Sequence, residues 1–472
     1  MIIGRREFVR NSALGLAGLA FSRNCSAATQ TRSTDSHIEV LLEERLGNIS
    51  PNIYGQFTEN LGGVLYDGVW VGEGSKVPNA NGIRSALIDH MRKIKVPVVR
   101  YPGGCFADSY DWRDGVGPHD RRPRRTNFWA NGDPRQSLNQ KYDPNQFGTN
   151  EFIQFCRSVG AEPYLAANVR SLPAQEFVAW VEYCNSPAGS TTWADTRAAA
   201  GFKESFNVKY WGVGNESWGC GGNFEPAEYA MEFRRYATWA PQFGTPLWFI
   251  ASGPSDDNYS WTSGFFEALA KHDPQFHIPF GWSLHYYTWN LSRGRTSDWD
   301  RGKGDALNFD VTDWYELLRE GQKLETLIEK HWQVMGQTDR EHRVKLVVDE
   351  WGPWYRPGTE ATPGDMLEQM PTLRDAVFSG MTLDIFNRHP EKVTMAACAQ
   401  LVNCLNSLYL AHEDRFVVTP VGHVFDLYAD HQGGQSLRTI FSAPQVKYDR
   451  DGSETTFWGL QGSASLKGSG CC

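Results

Sequence analysis

The sequence predicts an α/β protein: a (β/α)8 TIM barrel with an accessory β-sandwich at its C-terminal end. Three observations carry this expectation. Apolar, strand-like runs alternate with helical patterns eight times between residues 53 and 400. A polar residue closes each run at the same end, as in barrels whose active site lies at the strand C-termini. Two of the runs, YWGVGNESWG at 210–219 and VKLVVDEWGPWY at 344–355, end in a glutamate flanked by tryptophan. A Gly-rich GxGxxG turn, the mark of a doubly wound nucleotide-binding sheet, does not follow the first strand.

Taken in order, residues 1–28 read as a twin-arginine signal peptide. Arg5 and Arg6 precede Glu7-Phe8-Val9, an apolar run covers 13–21, and Ser26, Ala27 and Ala28 supply small residues for cleavage. That run is too short to span a bilayer. The expected location is therefore periplasmic or secreted, with no membrane association after cleavage. Residues 29–36 form a polar linker. The segment 37–50 holds IEVLLEERL before a Gly47-Asn48 turn signal and is read as a strand contributed to the sandwich.

The barrel is expected over 51–412. Its strands are predicted at 53–57, 96–100, 163–167, 208–213, 247–251, 280–284, 345–348 and 394–399. Helices are predicted between them at 82–95, 151–159, 174–184, 226–239, 314–332 and 373–387. The first places Ile83, Leu87, Met91 and Ile94 on one face, and the fourth opens on Pro226, which suits a first helical turn. Long inserts at 108–144 and 288–313 should rim the pocket. From 413 to 472 the pieces FVVTP, VGHVFDLYADH and FWGLQGSASLKG read as short strands, too few to close two sheets, so the sandwich is expected to be incomplete.

The strand ends define a candidate site. Glu59, Arg100, Asn168, Asn215 with Glu216, Ser252, His285 with Tyr287, Glu350 and Gln400 fall in turn at the ends of strands one to eight, a ring of polar groups around one mouth. Two carboxylates across a sugar-sized pocket are the apparatus of glycoside hydrolysis: one donates a proton to the leaving oxygen, the other attacks or activates water. Glu216, beside the Asn215 amide and between tryptophans, is assigned the acid/base role. Glu350, steadied as an anion by Arg100 and Tyr287, is assigned the nucleophile, with Tyr286 an adjacent rival to Tyr287. Carboxyl groups about 5 Å apart would imply retention of configuration, and about 6.5 Å or more inversion.

Composition narrows the partners. A net charge of -9 argues against nucleic acid and anionic membranes, which call for a basic face. The 18 tryptophans suit stacking on sugar faces, with Trp218, Trp289 and Trp354 at loop positions. Nine cysteines without a CxxC pair or a zinc-spaced histidine cluster are read as unpaired thiols, with no structural metal and no cofactor.

Six motifs in this order, IYGQFTENLGG, VRYPGGCFADSYDWRDGVGP, YWGVGNESWGCGG, LHYYTW, VVDEWGPWY and AQLVNCLNSL, closely resemble glycoside hydrolase family 51, the retaining α-L-arabinofuranosidases of clan A. The resemblance covers residues 53–431. It implies an acid/base at Glu216 and a nucleophile at Glu350. It implies furanose contacts from Glu59, Cys105, Asn215, Tyr287 and Gln400, with Arg100 supporting the nucleophile. Exo-acting release of terminal α-L-arabinofuranosyl groups from arabinan, arabinoxylan or their oligosaccharides follows from it, as does a homo-oligomer, commonly a hexamer. The competing readings are an endo-glucanase or β-xylosidase on the same scaffold and, outside the enzymes, an inactive carbohydrate-binding protein.

Overall fold

The computed structural model describes residues 36–472 apart from 274–277, 293–295, 297, 360–364, 451, 469 and 472. The twin-arginine segment read at 1–28 lies outside the described residues. Among those described, no helix is long and apolar enough to cross a membrane.

Eight parallel strands close into a barrel in sequence order: β1 (Gly55–Phe57), β2 (Val98–Tyr101), β3 (Glu162–Ala167), β4 (Tyr210–Val213), β5 (Trp248–Ala251), β6 (Gly281–Thr288), β7 (Lys345–Pro353) and β8 (Val393–Cys398). A helix follows each: α1 (Ser85–Lys93), α2 (Thr149–Val159), α3 (Ala174–Asn185), α4 (Pro226–Ala237), α5 (Tyr259–Leu269), α6 (Val311–Gly336), α7 (Leu373–Arg388) and α8 (Pro420–Tyr428). Three apolar clusters result among the described residues. Val98, Tyr164, Tyr210, Ile250, Val347 and Met395 pack together, one from each of six strands. The larger cluster joins other strand residues, such as Val99, Leu165 and Trp211, to the buried stripes of the helices, such as Leu87 and Met91 of α1 and Phe152 and Ile153 of α2, and a small third cluster gathers Phe57 and Ala397 with Leu61, Val64 and Leu405.

Two helices differ from the sequence reading. The stretch VGHVFDLYADH, expected to be β-like, is α8 followed by a short 3-10 turn. The Thr419 hydroxyl accepts from the Gly422 N–H, Pro420 occupies the first turn, and Val421 and Phe425 turn inward at helical spacing. The expected boundary at 412/413 thus falls before the eighth barrel helix. Helix α5, with Trp261, Phe265, Phe266 and Leu269 buried, was not read from the sequence because its apolar residues crowd together. Strands β6 and β7 also run past their expected ends, pairing His285 with Glu350 and Tyr287 with Gly352.

Beyond α8, Gln435–Ser442 pairs antiparallel with the N-terminal strand His37–Asn48 on one side and with Ala464–Lys467 on the other, and Gly470–Cys471 completes a four-stranded sheet. A separate hairpin joins Gln445–Arg450 to Ser453–Trp458. Arg450 pairs with Glu316 of α6, which is fully buried, and so ties this hairpin to the barrel.

Candidate active site

At the C-terminal mouth of the barrel a cavity of about 330 Å³ is lined by Glu59, Cys105, Glu216, Tyr287, Glu350 and Gln400. These come from chain positions up to 341 residues apart, yet Gln400 donates to Glu59 at 2.8 Å. The expected inserts supply its rim: Trp129 from the first, and Trp289 and Trp299 from the second, with Trp218 and Trp354 beside them. Trp299 packs between Trp289 and Trp354 with ring centroids 5.0 Å from each, and Trp354 meets Tyr287 edge-on at 4.8 Å. Of the predicted ring, Glu59, Glu216, Tyr287, Glu350 and Gln400 line the cavity; Arg100, Asn215 and His285 stand behind the two glutamates and do not line it, and Asn168 and Ser252 lie further off. Asn168 donates to the Tyr110 carbonyl, and the Ser252 hydroxyl accepts from the Ser217 N–H at 3.0 Å, so both brace loops instead.

Glu350 sits inside β7 rather than at its tip. The register shifts between Ser283 and His285 on β6, and again between Val348 and Trp351 against β8, where β7 takes extra residues. Such a bulge interrupts the alternation of faces, so the adjacent carboxylates Asp349 and Glu350 both reach groups in the barrel interior. Glu350 Oε1 accepts from Arg100 Nη1 at 2.8 Å, and Oε2 accepts from the Tyr287 hydroxyl at 2.7 Å. Tyr286, one residue earlier, points the opposite way and donates to the Glu320 carbonyl in α6 at 2.6 Å. The pleat thus decides between the two tyrosines in favour of Tyr287.

Glu216 lies one residue past Asn215 on a turn with left-handed backbone at Gly214 (φ 81°) and at Glu216 itself (φ 41°). Its carbonyl accepts from the N–H groups of Gly219 and Gly221. One carboxylate oxygen is 2.9 Å from His285 Nδ1. One oxygen of Glu216, one of Glu350 and a ring nitrogen of His285 all lie within 4.8 Å of one another, so the two carboxylates face each other directly.

Two residues that the sequence reading left without a role hold this pair together. His285 Nδ1 also lies 3.5 Å from Glu350, and its Nε2 lies 3.3 Å from Asp349. Burial alone would strip the imidazole of its proton, but the charges of Glu350 and Asp349 and the contact with Glu216 outweigh burial and push its pKa up to about 10. Asp349 accepts from the Ser283 and Tyr164 hydroxyls and lies 3.5 Å from Arg100 Nε. Against the cost of its burial, Arg100 and His285 hold its carboxyl well below the usual carboxylate range. Arg100 itself is buried. Asp349 and Glu350 overcome that burial and fix its charge, while its second nitrogen donates to Asn215 Oδ1. The sequence signal for both residues was their position, His285 just before the tyrosine pair and Asp349 just before Glu350.

Glu59 differs from these. It accepts from the Phe106 N–H, Trp129 Nε1 and Gln400 Nε2 at 2.8–3.0 Å, yet burial and the neighbouring charge of Glu350 push its pKa up to about 7. The Gln400 Oε1 atom is buried and accepts no hydrogen bond from the described residues, which leaves an acceptor for a bound hydroxyl.

The reading of Cys105 and of unpaired cysteines is corrected. Cys105 is joined to Cys220 in a disulfide with an S–S length of 2.05 Å, across 115 residues of chain. The sulfurs stand 3.9 and 3.7 Å from Glu216 Oε2 and, carrying no S–H, form part of the cavity wall without donating a hydrogen bond. Sequence spacing gives no sign of this pairing, because only barrel closure brings the β2 and β4 loops together. Cys156, Cys184, Cys398 and Cys404 are free and buried. The same bond removes Cys105 and Cys220 as thiolate ligands for a metal. In the other grouping at the cavity, Glu216–His285–Glu350, both ring nitrogens of His285 already face carboxylates.

Comparison with known proteins agrees with this architecture. Residues 90–300 match the family model described as the alpha-L-arabinofuranosidase 1 domain, and 349–467 match the alpha-L-arabinofuranosidase C-terminal domain. The chain is 38% identical over 427 residues to an intracellular exo-alpha-L-arabinofuranosidase of Bacteroides ovatus, covering 89% of this chain and 77% of that protein. It is 31% identical to alpha-L-arabinofuranosidase C of Emericella nidulans, over 86% of this chain and 76% of the relative. The crystal structure of the GH51 arabinofuranosidase from Xanthomonas axonopodis pv. citri superposes with a TM-score of 0.82 at 37% identity, over 91% of this chain and 82% of that one. The arabinose complex of the Thermotoga maritima alpha-L-arabinofuranosidase gives 0.75 at 29% identity, over 92% and 82%. With barrel, carboxylate pair and sequence all in agreement, this chain belongs to glycoside hydrolase family 51, the α-L-arabinofuranosidases.

Proposed function

We propose that the protein is an exo-acting, retaining α-L-arabinofuranosidase that removes terminal non-reducing arabinofuranosyl groups from arabinan, arabinoxylan and their oligosaccharides. The observation that carries this reading is the Glu216–Glu350 pair, within 4.8 Å across a cavity of about 330 Å³. Glu350, held by Arg100 and Tyr287, attacks the anomeric carbon and forms a glycosyl-enzyme. Glu216 passes a proton to the departing glycosidic oxygen and then takes one from the water that releases arabinose. Glu59 and Gln400 bind the furanose hydroxyls, and the tryptophan rim takes the leaving sugar. His285 and Arg100 supply positive charge that needs no rearrangement as the carboxylates gain and lose theirs.

The experiment is release of arabinose from a chromogenic α-L-arabinofuranoside, measured against the matching β-xyloside and a soluble glucan. The first should turn over and the others should not; preferential turnover of the xyloside or glucan would overturn the reading. The expected loss for Glu350→Ala and Glu216→Ala is about 10³-fold or more in kcat. Azide should then yield an arabinosyl azide of inverted configuration from Glu350→Ala and of retained configuration from Glu216→Ala.

Export by the twin-arginine route belongs to the same reading and rests on the Arg5-Arg6 segment. A reporter fused behind residues 1–28 should leave the cytoplasm, and should stay there when both arginines are replaced by lysine. A homo-oligomer, commonly hexameric in the family, rests on the family resemblance alone and is tested by light scattering.

A further inference from the structure

Proton transfer by Glu216 demands that its carboxyl stay at one place, yet its backbone adopts φ 41°, a region that side-chain-bearing residues enter at a cost and leave unless held. Part of what holds it comes from a loop outside the carboxylate pair. Asp108, in the 3-10 turn Ala107–Ser109 after β2, is fully buried. Its Oδ2 accepts from the N–H of Asn215 at 3.0 Å, and its Oδ1 accepts from those of Val169 and Arg170 at 2.7 and 3.1 Å. One carboxylate therefore gathers the loops that follow β2, β3 and β4. The Arg170 side chain donates to the Asp108 backbone carbonyl and not to its carboxylate, so these three N–H groups are the carboxylate's hydrogen-bond donors among the described residues. Burial works against the charge and pushes the carboxyl up to about 7 in spite of them.

The packing is close as well. A Cβ built on Gly221, in the same turn, would stand 2.9 Å from Asp108 Oδ2. The Cys105–Cys220 disulfide is a second, covalent tie between the same two loops, and its sulfurs contact the Glu216 carboxyl. Three main-chain donors could be met more cheaply by neutral acceptors than by a buried carboxylate. What the carboxylate adds is two acceptor atoms on one rigid group: Oδ2 holds the Gly214–Asn215 peptide just before Glu216, while Oδ1 anchors the group to Val169 and Arg170, and Ser252 holds the Glu216–Ser217 peptide just after it.

We propose that Asp108 is a positioning residue for proton transfer: it aims Glu216 at the glycosidic oxygen without touching substrate. The proposal rests on the reading of Glu216 as the acid/base and adds what holds it in place. A misplaced acid slows departure of a poor leaving group and spares one that needs no proton, whereas a fault in folding or in the nucleophile slows both.

The test is kcat/KM of Asp108→Asn and Asp108→Ser on phenyl and 2,4-dinitrophenyl α-L-arabinofuranosides. The expected loss is about 10- to 100-fold on the phenyl substrate and under about threefold on the dinitrophenyl one. The ratio of the two rates does not depend on the folded fraction, so partial unfolding leaves it readable. An equal loss on both substrates, or none on either, overturns the proposal. Glu216→Gln is the control for the underlying reading. If that variant shows no dependence on the leaving group, the assignment of Glu216 fails; if it does and the Asp108 variants do not, only the inference about Asp108 fails.

Discussion

Tyr286 and Tyr287 show how one position along a strand separates chemistry from packing. The Tyr287 hydroxyl is 2.7 Å from Glu350, where a hydrogen bond to a charged group is worth about 1.5–3 kcal/mol. Tyr287→Phe should therefore lower kcat/KM by about 10- to 100-fold while the protein stays folded. The Tyr286 hydroxyl meets a neutral carbonyl in α6. Tyr286→Phe should cost about 1 kcal/mol of unfolding free energy in urea and leave kcat/KM within about twofold. Reversal of these two results would mean that the pleat is assigned the wrong way round. His285 belongs to the same scale: with three carboxylates around it, one ring neutralises charge that the carboxylates could not otherwise hold in a buried site.

At the scale of elements, the site depends on the turn that leaves β4. Gly221 has no room for a side chain: a Cβ there would stand 1.8 Å from the Asn215 carbonyl oxygen, a main-chain atom that can move only if the turn moves. Gly221→Ala should accordingly lower kcat/KM on phenyl arabinofuranoside by about 10²-fold or more, because even a displacement of about 1 Å is that costly to catalysis. Its melting temperature should fall by only a few degrees, since β4 itself remains paired on both edges. Wild-type activity in this variant would show that the turn tolerates displacement and would weaken the case for its being held by Asp108. The same contrast between turn and strand appears at β7, where the bulge after Val348 is what allows two consecutive carboxylates to serve one site.

For the whole molecule, the buried charges set how stability depends on pH. The His285 imidazolium is favoured by the fold, its pKa rising from 6.5 to about 10. The stability it contributes is present in full below about pH 6.5 and is lost as pH rises toward 10. Asp349 has the opposite sign: its depressed pKa contributes above the ordinary aspartate value, near 3.8, and fails only in strong acid. Glu59, raised from 4.5 to about 7, resists ionisation and adds a cost as pH climbs through that interval. Urea midpoints should therefore fall between about pH 6.5 and 10, and His285→Gln should flatten much of that fall. A wild-type midpoint constant across the interval would contradict the charge assignment.

The sequence by itself determined the barrel and that two carboxylates, Glu216 and Glu350, come to the same mouth of it. Strand and helix periodicity are local properties, and a strand that is apolar until its last residue announces where its polar end will lie. The six predicted helices and eight strands were legible for that reason, as were Arg100, Tyr287 and Gln400. Only the tertiary structure decided the rest. The Cys105–Cys220 bond, the convergence of Asp108 on Asn215, the three carboxylates around His285 and the bulge that turns Asp349 inward all join segments far apart in the chain. Their partners are chosen by the order in which the strands close, and no local spacing encodes that. Helix α8 lies between the two cases: its Thr-Pro start was written in the sequence, but its short apolar run fits strand as well as helix until α7 is there to pack against.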